Sequence, residues 1–299
     1  MMTLGIWDAA AVIAKAATYA ATLGASGGVF FLVYSQALLD RACAARIRRV
    51  IRVLVLIAAL AGGAMILVTA ASMSGDAGGL TDVGLARMIL RAGEGRASLV
   101  RLIGLILIGG SLAGRRSPAA MTLLGSVAAA TSFAWVGHVH SLSALRGAWL
   151  PALAIVLHLL GVAFWLGALI PLLLVARDAD MSRIAATARR FGTAALIVVG
   201  FLVAAGAGLL CLLLRDVSEL WTGDYGRLVL TKLLLVSFLL ALAALNHLRL
   251  TPRLFAYDVG ALRALKRSIM AELAVAGCVL LVTAAMTTLA GPSALDASN

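Results

Sequence analysis

The chain has 299 residues, 63% of them hydrophobic and 13% charged, with a mean hydropathy of +1.05 and a formal net charge of +12. Soluble domains hold about 45–50% apolar and about 25% charged residues, so this chain lacks the polar surface that water requires and a soluble globular fold is excluded. The positive excess lies in short arginine clusters between apolar runs, with no zinc-finger, helix-turn-helix or aromatic–basic surface; it fits anionic lipid head groups rather than nucleic acid.

A membrane helix needs about 20 mostly apolar residues. Eight stretches qualify in chain order: 7–38, 51–73, 99–113, 118–141, 149–175, 191–214, 228–248 and 268–290. In the first, Asp8 precedes Lys15 and no earlier basic residue exists, so it reads as a membrane helix and not as a cleaved leader. Lys15 sits well inside that run. Residues 84–98 form an amphipathic lead-in to the short third span. The fourth ends on His138 and His140, and the fifth carries His158 and Trp165. The seventh holds Lys232, placed to snorkel outward, and ends on Asn246 and His247. The eighth holds Glu272, Cys278 and Met286. Glu272 has two candidate partners: Arg263 or Arg267, or the polar inner end beside Asn246. No run alternates with period two, so a barrel is excluded. The expected fold is an all-α integral membrane bundle of about eight helices, a single transmembrane domain over residues 1–299.

Charge sets the orientation. The segments after the first, third, fifth and seventh spans hold 16 Lys and Arg residues, against 7 on the opposite side. The positive-inside rule makes the richer side cytoplasmic and both termini periplasmic.

Nothing in the chain supports an enzyme. It lacks C-x-x-C, the P-loop, G-x-G-x-x-G and H-E-x-x-H, and no acid accompanies Ser141 and Ser143 near the histidines. Cys43, Cys211 and Cys278 are odd in number and scattered, which rules out a disulfide framework.

The histidines carry the chemical signal. The short 142–148 loop makes spans four and five antiparallel neighbours, so His138, His140 and His158 share the outer half of the bundle. Imidazole is a common ligand for copper, iron and zinc, and polar groups within a membrane face its protein interior. His138 and His140 point about 200° apart on a regular helix, so both reach one ion only if the helix turns there. His158 and Trp165 share a face, and Thr131, Trp135 and His138 share another. Met73 and Met286 lie at the same depth, and thioether sulfur favours Cu(I). At the other end, Cys278, Met270 and His247 form a candidate exit. A b-type haem held by His158 with His138 or His140 is the rival reading. A copper-handling assembly factor that does not transport is a third.

The stretch His158-Leu-Leu-Gly-Val-Ala-Phe-Trp165-Leu-Gly167-Ala-Leu-Ile-Pro171 resembles the signature helix of the copper resistance protein D family. Tyr225-Gly-Arg227-Leu-Val-Leu-Thr-Lys232, Asn246, Leu250-Thr-Pro252-Arg253 and Leu265-Lys-Arg-Ser268 with Glu272 are similar to that family too. The resemblance is strongest over residues 150–290. It implies an inner-membrane protein of the bacterial cell that moves copper from periplasm to cytoplasm, partnered by a periplasmic copper-binding protein of the CopC type. It places function most firmly on His158 and Trp165. The periplasmic loops here are not rich in Met or His, so capture falls to the bundle mouth or to the partner. The expected ligands are His138, His140, His158, Met73 and Met286, with Trp135, Trp165, Thr131, Cys278 and His247 lining the path.

Overall fold

The computed structural model describes residues 5–114, 119–135, 149–177, 180–213, 221 and 224–289, and within these every regular element is helical. In chain order they are α1 (Ile6–Ser35), α2 (Arg41–Ser74), α3 (Val83–Arg91), α4 (Gly93–Ala113), α5 (Ala119–Thr131), α6 (Trp149–Gly167), α7 (Leu169–Val175), α8 (Met181–Leu213), α9 (Asp224–Leu245), α10 (Thr251–Phe255) and α11 (Val259–Leu289). A π turn, Asn246–Leu250, joins α9 to α10. In lipid the backbone has no water to bond, so long unbroken helices are the economical solution for apolar runs of this length.

Seven helical segments among the described residues are long and apolar enough to cross a membrane, and Ala119–Trp135 is a shorter apolar helix. The chain is a multi-pass membrane protein. The expected fourth span, 118–141, is met by α5 and a 3₁₀ turn to Trp135, and its remainder lies outside the described residues. The lead-in at 84–98 resolves into α3, capped by Asp82, and the start of α4.

Three helices begin well before their apolar runs. α2 starts at Arg41 where the hydropathy pattern begins at 51, α8 at Met181 where it begins at 191, and α11 at Val259 where it begins at 268. An aspartate starts each. Asp40 accepts from the Cys43 amide at 2.7 Å. Asp180 accepts from the Ser182 and Arg183 amides at 3.1 and 3.3 Å. Asp258 accepts from Gly260 and Ala261 at 2.7 and 3.1 Å. Each carboxylate satisfies amides that a helix start leaves bare. Arginines therefore ride on helical extensions at one end of the bundle, and Arg183 ties two of them by donating to Asp40 at 2.7 Å.

α1 is the axle. In it 56% of the most apolar window is buried, against 11–33% in the other six, and it packs on α2, α5, α6 and α11. Its closest approach is to α6, at Gly27 and Gly167. A Cβ added to Gly167 would lie 2.6 Å from the Gly27 Cα, so only paired glycines let the backbones meet, as small residues do in membrane bundles. Toward the arginine-rich end Phe31, Phe164 and Phe191 knit α1, α6 and α8, with ring centroids 5.5 Å apart for Phe164–Phe191 and 6.2 Å for Phe31–Phe191.

Candidate functional site

His158 lies on α6, half-buried, with its Nδ1 buried and without a hydrogen-bond partner among the described residues. Lys232 of α9 is near enough to act on it electrostatically. Seven residues on, about 10 Å along the helix, Trp165 is 5% exposed. The shared face read from their spacing thus runs from a free imidazole nitrogen to a buried indole.

The other expected outer ligands do not gather round His158. His138 and His140 lie outside the described residues. Met73 on α2 is 53% exposed, and Met286 on α11 is half-buried. α6 packs mainly on α1, α5 and α8, and neither methionine's helix is among its main partners. Trp135 is 52% exposed and does not line an interior. The chain tightens into a 3₁₀ turn over Ser132–Trp135, which breaks the 3.6-residue spacing that put it in line with Thr131. Thr131 returns its hydroxyl to the Val127 carbonyl at 2.8 Å, satisfied within its own helix. Cys278 is exposed, as is Met270 at 50%, and neither lines the cavity that His247 borders. Among the described residues no three His, Cys, Asp or Glu side chains are grouped to hold a metal.

The interior between α1, α4 and α5 is cationic. Arg101, 3% exposed, donates Nε to Ser132 at 3.2 Å and lies 4.3 Å over the Phe133 ring. Lys15 donates to the Thr287 carbonyl at 3.2 Å. Glu94 acts on both as the nearby acid. Two buried cations against one acid repel a metal ion more than they attract it.

A cavity of about 250 Å³ opens on the other flank, toward the arginine-rich end. Its walls come from α6 to α11, and Trp165, Phe191, Asn246, His247, Thr251 and Glu272 are among them. α8 and α9 leave this space because α8 reaches the line of α9 through the π turn and α10. Thr251 holds the π turn: its amide and its hydroxyl, the latter at 2.8 Å, both donate to the Asn246 carbonyl five residues back. Pro252 follows and brings no amide of its own. Single π turns occur often at functional positions. Glu272, 2% exposed, accepts a hydrogen bond from the Asn246 side-chain amide. Of its two expected partners the asparagine is therefore the one it takes, and among the described residues it makes no ion pair. Asn246 Oδ1 and His247 Nδ1 are buried with no hydrogen-bond partner among the described residues. His247 fits because position 192 is glycine: a Cβ there would lie 2.5 Å from Nδ1.

Two family models match the sequence. Copper resistance protein D covers residues 185–286, and the N-terminal domain of copper resistance protein D-like proteins covers residues 6–148. A curated copper resistance protein D of Pseudomonas syringae pv. tomato is 32% identical over 200 residues, 62% of this chain and 64% of that protein. The chain belongs to the copper resistance protein D family. It spans less than two thirds of the length of that curated relative, 64%, and no solved structure matches it. Within the family frame Gly192, Asn246, His247 and Glu272 fall in the copper resistance protein D match, and Lys15 and Arg101 in the N-terminal one. α6 and α7, with His158 and Trp165, lie between the two.

Sequence reasoning had Trp165 and His247 as lining and Glu272 beside Asn246, but it did not join them into one chamber. The signal was present in Asn246-His247 followed by Thr251-Pro252: polar groups in an apolar helix, then a residue that cannot continue its hydrogen bonding.

Proposed function

We propose that this chain carries copper across the bacterial inner membrane, from periplasm to cytoplasm, with both termini periplasmic and eight crossings. The observation that carries the reading is His158: an imidazole inside the bundle whose buried nitrogen has no partner among the described residues. A buried polar atom without a bond is costly unless something else fills the role, and copper is a fitting guest for imidazole.

His158 is the central ligand. His138 and His140 are the entry ligands, with Met286 and, less buried, Met73 as thioether donors. The expected Cu(I) preference leans on those two sulfurs; imidazole serves either oxidation state, so the weight rests on the histidines. From His158 the face of α6 leads about 10 Å to Trp165, which is also a wall of the chamber. The cationic interior beside α4 and α5 directs the ion to this flank. Few ligands at each stop let the ion leave as well as enter. A periplasmic protein of the CopC type delivers the metal to the mouth, and the whole chain acts as one transmembrane unit.

Uptake of copper into proteoliposomes tests this directly. Wild type should load the vesicles, and His158→Ala should fall at least tenfold in rate while keeping its elution profile in detergent. Undiminished uptake by His158→Ala removes the central ligand. A Soret band in the purified chain, lost in His158→Ala, would instead assign the imidazole to haem.

A further inference from the structure

We infer that the chamber beside the π turn is a second copper station, with the His247 imidazole, the Glu272 carboxylate and the Asn246 amide oxygen as its ligands. The inference rests on the copper reading above and extends it to a site of different donor chemistry.

Three observations lead there. The polar wall of the chamber offers lone pairs: Asn246 Oδ1 and His247 Nδ1 are buried and without a partner among the described residues, and Glu272 brings a carboxylate. Glu272 is buried with an amide as its hydrogen-bond partner and no ion pair among the described residues. A carboxyl in an apolar bundle stays neutral unless a cation balances it, and a bound metal ion is the partner that would hold Glu272 ionised. The local backbone is built to hold this wall in place: Thr251 pins the Asn246 carbonyl twice, and Gly192 leaves the space for His247.

The donors also select the guest. Met270 and Cys278, the soft ligands near this end, face outward. What faces the chamber is nitrogen and oxygen, a set that suits Cu(II) better than Cu(I). The remaining wall, with Trp165, Leu169, Phe191 and Leu265, is apolar.

The chain contains four histidines, which makes the test selective. In a variant with His138→Ala, His140→Ala and His158→Ala, His247 is the remaining imidazole. This variant, purified in detergent and dialysed against Cu(II), should bind one equivalent. Its electron paramagnetic resonance should show coupling to a single imidazole nitrogen and otherwise oxygen coordination. Adding Glu272→Gln, which keeps the hydrogen bond to Asn246 but removes the charge, should weaken binding at least tenfold, and adding His247→Ala should abolish the nitrogen coupling. If the triple variant does not fold, wild type minus His247→Ala yields the same spectrum by difference. Cu(II) affinity unchanged by both Glu272→Gln and His247→Ala overturns the inference, and so does wild-type protein that binds no Cu(II). Proteoliposome uptake separates the two readings. Copper held at His247 and Glu272 without uptake defeats transport and leaves the station standing. Uptake indifferent to both substitutions defeats the station and leaves transport standing.

Discussion

Gly192 has a role that its helix does not require. The imidazole of His247 packs against it, and a Cβ would meet Nδ1 at 2.5 Å. Gly192→Ala should push the ring aside while leaving all three proposed donors chemically intact. Its expected effect is weaker Cu(II) binding, by threefold or more in equilibrium dialysis, with little change in melting temperature, since the displaced group is a side chain and not backbone. The aspartates of the arginine-rich end behave differently. Hydrogen bonding by the Cys43 amide, with Arg183 nearby, holds the Asp40 carboxyl below its ordinary value. The Ala261 amide, then Arg253, do the same for Asp258, and the Ser182 hydroxyl leads for Asp180. A carboxyl depressed in the folded chain contributes stability above its unfolded value, and loses it as pH falls through the folded one. Melting temperature in detergent should thus drop on acidification below about pH 4. Asp40→Asn with Asp258→Asn should start lower at neutral pH and lose less on acidification. If the double variant and wild type follow parallel curves, these caps do not govern acid stability.

The α1–α6 contact predicts a sharp contrast among glycines. A Cβ at Gly167 collides with backbone of α1, 2.6 Å from the Leu23 carbonyl and the Gly27 Cα, whereas one at Gly200 of α8 meets nothing within 4 Å. Gly167→Ala should destabilise the bundle by about 1–3 kcal/mol through overpacking. Gly200→Ala should be neutral or slightly stabilising, since alanine is the better helix former. Thermal unfolding of the two in the same detergent decides it; equal melting points would mean the helices separate at no cost. The spans themselves were legible because lipid enforces a run of about 20 apolar residues. The early starts of α2, α8 and α11 were not legible from hydropathy, which ends where the arginines begin, yet Asp40, Asp180 and Asp258 mark them as capping residues do. The π turn at Asn246 left only its Thr251-Pro252 trace, because one extra residue per turn does not disturb an apolar pattern.

At the level of the whole molecule, arginine placement is the strongest guide to orientation. Asp76, beyond α2, and Asp180, before α8, lie at opposite ends of the bundle. The proposed topology expects Asp76→Cys to react with a membrane-impermeant thiol reagent in intact cells, and Asp180→Cys only after permeabilisation. The reverse pattern would invert the transport direction as well. The chamber was half legible in the sequence: His247, Glu272 and Trp165 each stood out as polar or aromatic groups within apolar runs. Their convergence depends on the gap between α8 and α9, which no spacing along one helix reveals. The outer cluster was argued from depth alone, and depth does not fix azimuth. Met73 and Met286 lie on α2 and α11, which are not among the main packing partners of the His158 helix.

Where Gly27 meets Gly167, two helices touch with nothing but hydrogens between their backbones. Such a joint has no side chain to give way, so sliding α6 along α1 would have to part backbone from backbone. On the other flank α8 and α9 stand apart around the chamber, with no such joint between them among the described residues.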